Sequence, residues 1–200
     1  MTLTYLVVFI PVLLIAMTVH EASHAGMSYL LGDHTAKHQG RLSLNPMVHI
    51  DPIFTVLVPA VMILLGQPPI LAAKPVPFNP YSVKFGEFGA AMVAAAGPIS
   101  NLALAFLAGM FMHISSGLIY DLLNFFLVIN VSLAIFNLVP WPPLDGSRVL
   151  YAFAPEPMQK VMDRIEGFGI AGLFIFIFLA WSFIAPVVTA IQSFIIRILV

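Results

Sequence analysis

The stretch Leu3–Leu31 reads LTYLVVFIPVLLIAMTVHEASHAGMSYLL, an apolar run that carries His20-Glu21-Ala22-Ser23-His24 in its second half. A helix that crosses a bilayer needs about 20 predominantly apolar residues, and this run supplies them before Gly32-Asp33 ends it. On such a helix His20 and His24 stand at i and i+4, so both imidazoles share one face and can grip one metal ion. Glu21 faces the same cavity and can take a proton from a water beside that ion. In a membrane, a central charge costs roughly 2.5–3.5 kcal/mol on insertion scales unless an ion or a partner satisfies it. A chance match on an exposed surface helix is therefore the weaker reading. The run has neither the basic start nor the small-residue cleavage site of a secretory leader, and is expected to remain as an anchor.

The composition agrees. The chain has 200 residues, 60% hydrophobic and 8% charged, with mean hydropathy +1.02, whereas soluble domains carry about 25% charged residues. It reads as an all-α integral membrane protein, a polytopic bundle of about 4–6 membrane segments in a single domain over residues 1–200, with short extended loop segments. A net charge of −1 gives no argument for nucleic acid as a partner. The absence of cysteine removes thiolates from the ligand set and leaves His, Asp, Glu or Asn to hold a metal.

Beyond Leu3–Leu31, apolar segments occupy Ile53–Leu65, Phe88–Met112, Leu122–Val139 and Ile170–Ile184, with a last piece at Val187–Val200. Ile53–Leu65 is short and interrupted by Pro59, which suits a re-entrant or interfacial element. The piece after Pro186 can extend the preceding helix with a kink or lie along the interface. Between these lie the polar stretches Gly32–Pro52, Gln67–Glu87 and Trp141–Gly169; the middle one includes Ala73-Lys74-Pro75-Val76-Pro77-Phe78-Asn79-Pro80, whose prolines favour extended backbone.

Two histidines do not complete a catalytic zinc site, where three protein ligands are usual. The best third candidate is Asp145, in Asn137-Leu138-Val139-Pro140-Trp141-Pro142-Pro143-Leu144-Asp145-Gly146. The prolines end the fourth segment, Gly146 permits a tight turn, and the carboxylate is expected on irregular backbone lining a cavity. Alone it reads as an ordinary loop Asp; beside an incomplete two-His site, the ligand reading gains.

His20-Glu21-x-x-His24, then Gly97-Pro98-Ile99-Ser100-Asn101, then Asn137-x-x-Pro140 with Leu144-Asp145-Gly146, occur in that order. Together with Leu44-Asn45-Pro46, His49-Ile50-Asp51-Pro52 and Ala73-Lys74-Pro75-Val76-Pro77, they resemble the site-2 protease family of intramembrane zinc metalloproteases, compact members without a PDZ domain. The resemblance runs from about Val19 to Leu150. It implies that His20, His24 and Asp145 bind one Zn2+ per chain, that Glu21 is the general base, and that Asn137 lies beside the cleft and steadies the substrate carbonyl. It implies as substrates single-span membrane proteins in the lipid bilayer, as in regulated intramembrane proteolysis. Departures from the family pattern are Ser147 for a second Gly, Phe54 for a Gly after Asp51-Pro52, and His34 for a Pro; none falls on a proposed ligand.

Depth constrains the topology. His20 lies roughly 25 Å along its helix at about 1.5 Å per residue, near the far end, and Asp145 follows the end of the fourth segment. They meet only if those two helices run parallel, which requires that Ile53–Leu65 does not cross. Lys37, Arg41, Lys74, Lys84, Arg148, Lys160 and Arg164 then share the motif side, while the opposite loop, His113–Tyr120, has no basic Lys or Arg. By the positive-inside rule the motif side is cytoplasmic and the N-terminus outside, in a multi-pass protein of the cell membrane.

Smaller signals are weighed the same way. Asn101 is expected to pack against a neighbouring helix rather than act in catalysis. His49 and Asp51 read as interfacial loop residues before a gating pair, and His34, His38 and His113 as loop histidines. The Pro-rich stretch near Lys74 is as suited to pairing with an unwound substrate as an added strand as to forming a rigid loop. Two other activities fit less well. A divalent-metal transporter needs ligands on both sides of the site, yet the far side offers only His113 and Asp121. A prenyl-protein type of zinc protease needs a downstream Glu, and none of Glu87, Glu156 and Glu166 lies in an apolar helix.

Overall fold

The computed structural model describes residues 3–57 and 73–200. Helix α1 covers Leu3–Leu30 and stops as its sequence predicts. Gly32 takes φ 101°, a conformation glycine adopts without penalty. Its N–H donates to Tyr29 O at 3.1 Å, while Asp33 N–H reaches back to Ser28 O at 3.0 Å. That pair of reversed bonds satisfies the last carbonyls of the helix and turns the chain sharply.

After a single helical turn, α2 (Thr35–His38), come a 3-10 turn at Pro46–Val48 and a π turn at Pro52–Leu57. The remainder of the expected Ile53–Leu65 segment lies outside the described residues. The chain reappears as an extended run from Ala73 to Asn79, in keeping with Pro75 and Pro77. Helix α3 (Gly86–Met112) and helix α4 (Gly117–Asn137) form an antiparallel pair joined by His113–Ser116. α4 thus starts five residues before the expected Leu122, since nothing in Gly117–Asp121 breaks a helix once Gly117 has made the turn at φ 58°.

The expected polar stretch Trp141–Gly169 holds two helices, α5 (Asp145–Tyr151) and α6 (Glu156–Glu166). Asp145 is therefore the first residue of a helix, a correction to the irregular backbone expected there. Gly146 is corrected too: it is not among the glycines with positive φ, and the absence of a side chain is what matters. A Cβ there would lie 2.2 Å from Leu138 O, so glycine lets α5 start tightly against the end of α4.

The last helix, α7, runs Gly169–Leu199 through Pro186, which decides between the two readings of the tail in favour of continuous helix. Near its start the Trp141 and Phe176 rings stack at 4.8 Å. At its end a Cβ on Gly109 would lie 2.7 Å from Leu199 O, so α7 follows the bundle from the Asp145 end to the far end.

α3 is the central helix, contacting α1, α4, α5 and α7. Its buried face is built from Gly89, Ala90, Ala91, Ala94, Gly97, Ala105, Ala108 and Gly109, small residues that let membrane helices approach closely. Ala105, Ala108 and Met112 pack with Leu127, Val131 and Ile135 of α4 in one core cluster. Among the described residues there is no strand, and three helical stretches are long and apolar enough to cross a membrane: Val8–Leu30, Gly86–Met112 and Gly117–Asn137.

Candidate metal centre

α1 brings His20 and His24 to the bundle interior, where both are buried. The start of α5 brings Asp145 opposite them. Asp145 Oδ2 lies 3.1 Å from His20 Nε2 and 3.4 Å from His24 Nε2. The ligand atoms of the three residues fall within 4.8 Å of one another, a spacing a single ion can bridge. Residues separated by more than a hundred positions thus converge as the depth argument required, and α4 runs parallel to α1.

The tautomers follow from the hydrogen bonds behind the rings. His24 Nδ1 lies 2.7 Å from Val93 O; a carbonyl only accepts, so Nδ1 carries the proton. His20 Nδ1 lies 2.6 Å from Asn101 Oδ1. The Asn101 amide is oriented in turn, because its Nδ2 donates to Ala16 O at 3.1 Å and to Asn130 Oδ1 at 2.9 Å. Asn130 is oriented by its own donation to Phe126 O at 2.9 Å. Every group in this chain has one possible direction, and the result is that His20 donates from Nδ1. Both histidines are left with Nε2 to offer a metal, each braced from behind as metal-binding imidazoles usually are.

Two further observations fit a metal. A Cβ at position 97 would lie 2.4 Å from His24 Nε2 and 2.6 Å from His20 Nε2, so glycine at 97 leaves open the space in front of both donor atoms. With both Nδ1 atoms protonated, Asp145 Oδ2 faces the unprotonated Nε2 atoms at 3.1 and 3.4 Å, three electron-rich atoms that a cation between them would satisfy.

A cavity of about 570 Å³ opens beside the three residues, and Glu21, Asn137 and Asp51 line it. Asn137 Nδ2 donates to Leu133 O at 3.0 Å. Arg148, three residues after Asp145, pairs with Glu166 of α6 on the cavity wall. Glu21 Oε2 accepts a hydrogen bond of 3.0 Å from Val76 N–H of the extended run.

The expected loop histidines stay apart from this cluster. His49 is buried, with Nε2 at 2.8 Å from Ser43 O. His34 and His38 are exposed, and the His34 ring meets Tyr29 at 4.9 Å. Asn101 packs against the neighbouring helices as expected, and its Oδ1 also orients a candidate ligand. The signal was present, since Gly97 and Asn101 stand at i and i+4, on one face of α3.

The family model for peptidase family M50 matches residues 112–180, from the end of α3 through Asp145 and into α7. A protein of Bacillus subtilis named putative zinc metalloprotease YwhC is 36% identical over 170 residues, covering 78% of this chain and 74% of its own length. The chain belongs to peptidase family M50. The likeness to the site-2 proteases read from the motifs holds accordingly. A second M50 relative, named putative zinc metalloprotease Rip2, of Mycobacterium tuberculosis, is 26% identical over 195 residues, covering 92% of this chain and 70% of its own length. No solved structure matches the chain significantly.

Proposed function

We propose that this protein is an intramembrane zinc metalloprotease that hydrolyses peptide bonds within or near the membrane segments of single-span proteins. The observation that carries the reading is the convergence of His20, His24 and Asp145 with both Nε2 atoms free to ligate, beside a cavity that Glu21 also lines. These three residues would hold one zinc ion per chain. When bound, zinc supplies Lewis acidity, lowering the pKa of water and polarising a carbonyl.

The chain's residues supply the rest. Glu21 accepts the proton of the attacking water and returns it to the leaving amine. Asn137, the last residue of α4, steadies the scissile carbonyl from the cavity wall. A substrate helix unwinds before it is cut, because its carbonyls are otherwise engaged in its own backbone bonds. Water reaches the site because the site lies toward one end of the bundle.

That end faces the cytoplasm in this proposal, and the N-terminus faces outward. Lys37, Lys74, Lys84, Arg148, Lys160 and Arg164 gather at the metal end, whereas Arg197 stands alone near the end of α7. Incubating the purified protein with single-span substrates, with and without a chelator, tests the activity. Cleavage that is lost on chelation and restored by zinc is expected; metal movement across vesicles without any cleavage would favour a transporter instead.

A further inference from the structure

The extended run Ala73–Asn79 is tied at both ends to the segment that follows α1, and at its middle to Glu21. At the first end Lys74 N–H donates to His49 O at 2.9 Å. There the buried Arg41 guanidinium also donates to the carbonyls of Val48, Lys74 and Pro75. At the second end Asn79 N–H donates to the buried Asp33 carboxylate at 2.7 Å. Between these anchors Val76 N–H meets Glu21 Oε2 at 3.0 Å.

The prolines make this arrangement selective. Pro75 and Pro77 have no N–H, so from Lys74 to Pro77 only Lys74 and Val76 can donate, and both donors are engaged. While it holds Glu21, the run from Lys74 to Pro77 has no N–H left to offer an added substrate strand. Fixed φ at the two prolines also limits how far the intervening Val76 peptide can tilt.

We propose that this run is a strap that positions Glu21, with Val76 N–H holding the carboxylate and Arg41 anchoring the strap. Arg41 and Val76 are positioning residues: they act on the substrate only through Glu21. The inference rests on the reading of Glu21 as the base, and its test has one arm that needs no proteolysis.

The chain has no cysteine, and Ala73 lines the cavity at the start of the strap. In the zinc-loaded full chain bearing Ala73→Cys, the rate of labelling by N-ethylmaleimide reports release of the strap. Adding Glu21→Ala removes the acceptor and is expected to raise that rate about fivefold or more, whereas Glu21→Gln keeps an acceptor oxygen and leaves it within about twofold. Arg41→Gln raises it as well. An unchanged rate in Glu21→Ala, or equal acceleration in Glu21→Gln, overturns the proposal.

The second arm compares Val76→Pro, which lacks the N–H, with Val76→Ala, which keeps it. The expected result is a kcat about tenfold lower in the proline variant, with KM changed less than about threefold and zinc content equal. Equal kcat in the two variants overturns the positioning role. If no variant and no wild-type preparation cleaves any substrate, the proteolytic reading fails, and the labelling arm still decides whether the strap holds Glu21.

Discussion

Two Asn side chains and three carbonyls orient His20 and His24 from behind, and the consequences are measurable residue by residue. Glu21→Gln should abolish proteolysis, a loss of about 10²–10⁴-fold for a general base, while zinc stays near one per chain, because Glu21 is not among the converging ligand atoms. Metal analysis alongside the activity assay checks both halves. Asp145→Ala should lower zinc content as well as activity, whereas Asp51→Ala, whose residue lines the cavity outside the ligand cluster, should keep its zinc. The histidine bracing gives a third outcome. Asn101→Ala removes the partner of His20 Nδ1 and should weaken zinc affinity by about 10–100-fold, read by competition with a calibrated chelator. The three candidate ligands that the structure brings together were legible in the sequence, because spacing and context mark them. The role of Asn101 was less so, since a buried amide in a membrane helix has many possible partners and only the packing of α1 on α3 selects one.

At the scale of elements, the end of α1 and the strap are joined by one carboxylate. Asp33 accepts from Ser28 Oγ, from Thr35 N–H and Oγ1–H, and from Asn79 N–H. Burial alone would raise this carboxyl, yet those donors outweigh it and lower it from its ordinary value. A depressed folded value means that the stabilisation is present above the ordinary carboxylate pKa and is lost as pH falls through the lowered one. Asp33→Asn, which keeps one acceptor oxygen, should therefore lower stability by about 1–3 kcal/mol near neutral pH. The gap to wild type should shrink as the pH approaches and passes below that lowered value, as thermal melts of the detergent-solubilised protein over a pH series would record. The sequence announced the end of α1 and the extended strap through Gly32 and the alternating prolines. It concealed α5 and α6, because neither starts on a capping side chain and a run rich in proline and polar residues then reads as loop.

At the scale of the whole molecule, the parallel course of α1 and α4 follows from the meeting of His20, His24 and Asp145. That relation was legible because a metal site demands a common depth for its ligands. The course of α7 was not, since Pro186 permits either a kinked continuation or a break, and packing of its last turn on Gly109 selects continuation. The proposed orientation is checked with single cysteines in the cysteine-free chain. Ser116→Cys should react with an impermeant thiol reagent added outside intact cells, whereas Lys37→Cys, Lys84→Cys and Lys160→Cys should react only after the membrane is opened. External labelling at Lys37 but not Lys84, or the reverse, would contradict a shared face for the two ends of the intervening segment.

Gly97 sets helix propensity against the space in front of two donor nitrogens. Alanine is preferred to glycine within a helix by about 1 kcal/mol, so in α3 alone the exchange is an improvement. The added methyl would press on Nε2 and Cε1 of His24 and on Nε2 of His20, atoms of buried rings that Val93 O and Asn101 brace from behind. Helix propensity alone pulls this position toward alanine, while the braced rings and the open space before their donor nitrogens hold it at glycine.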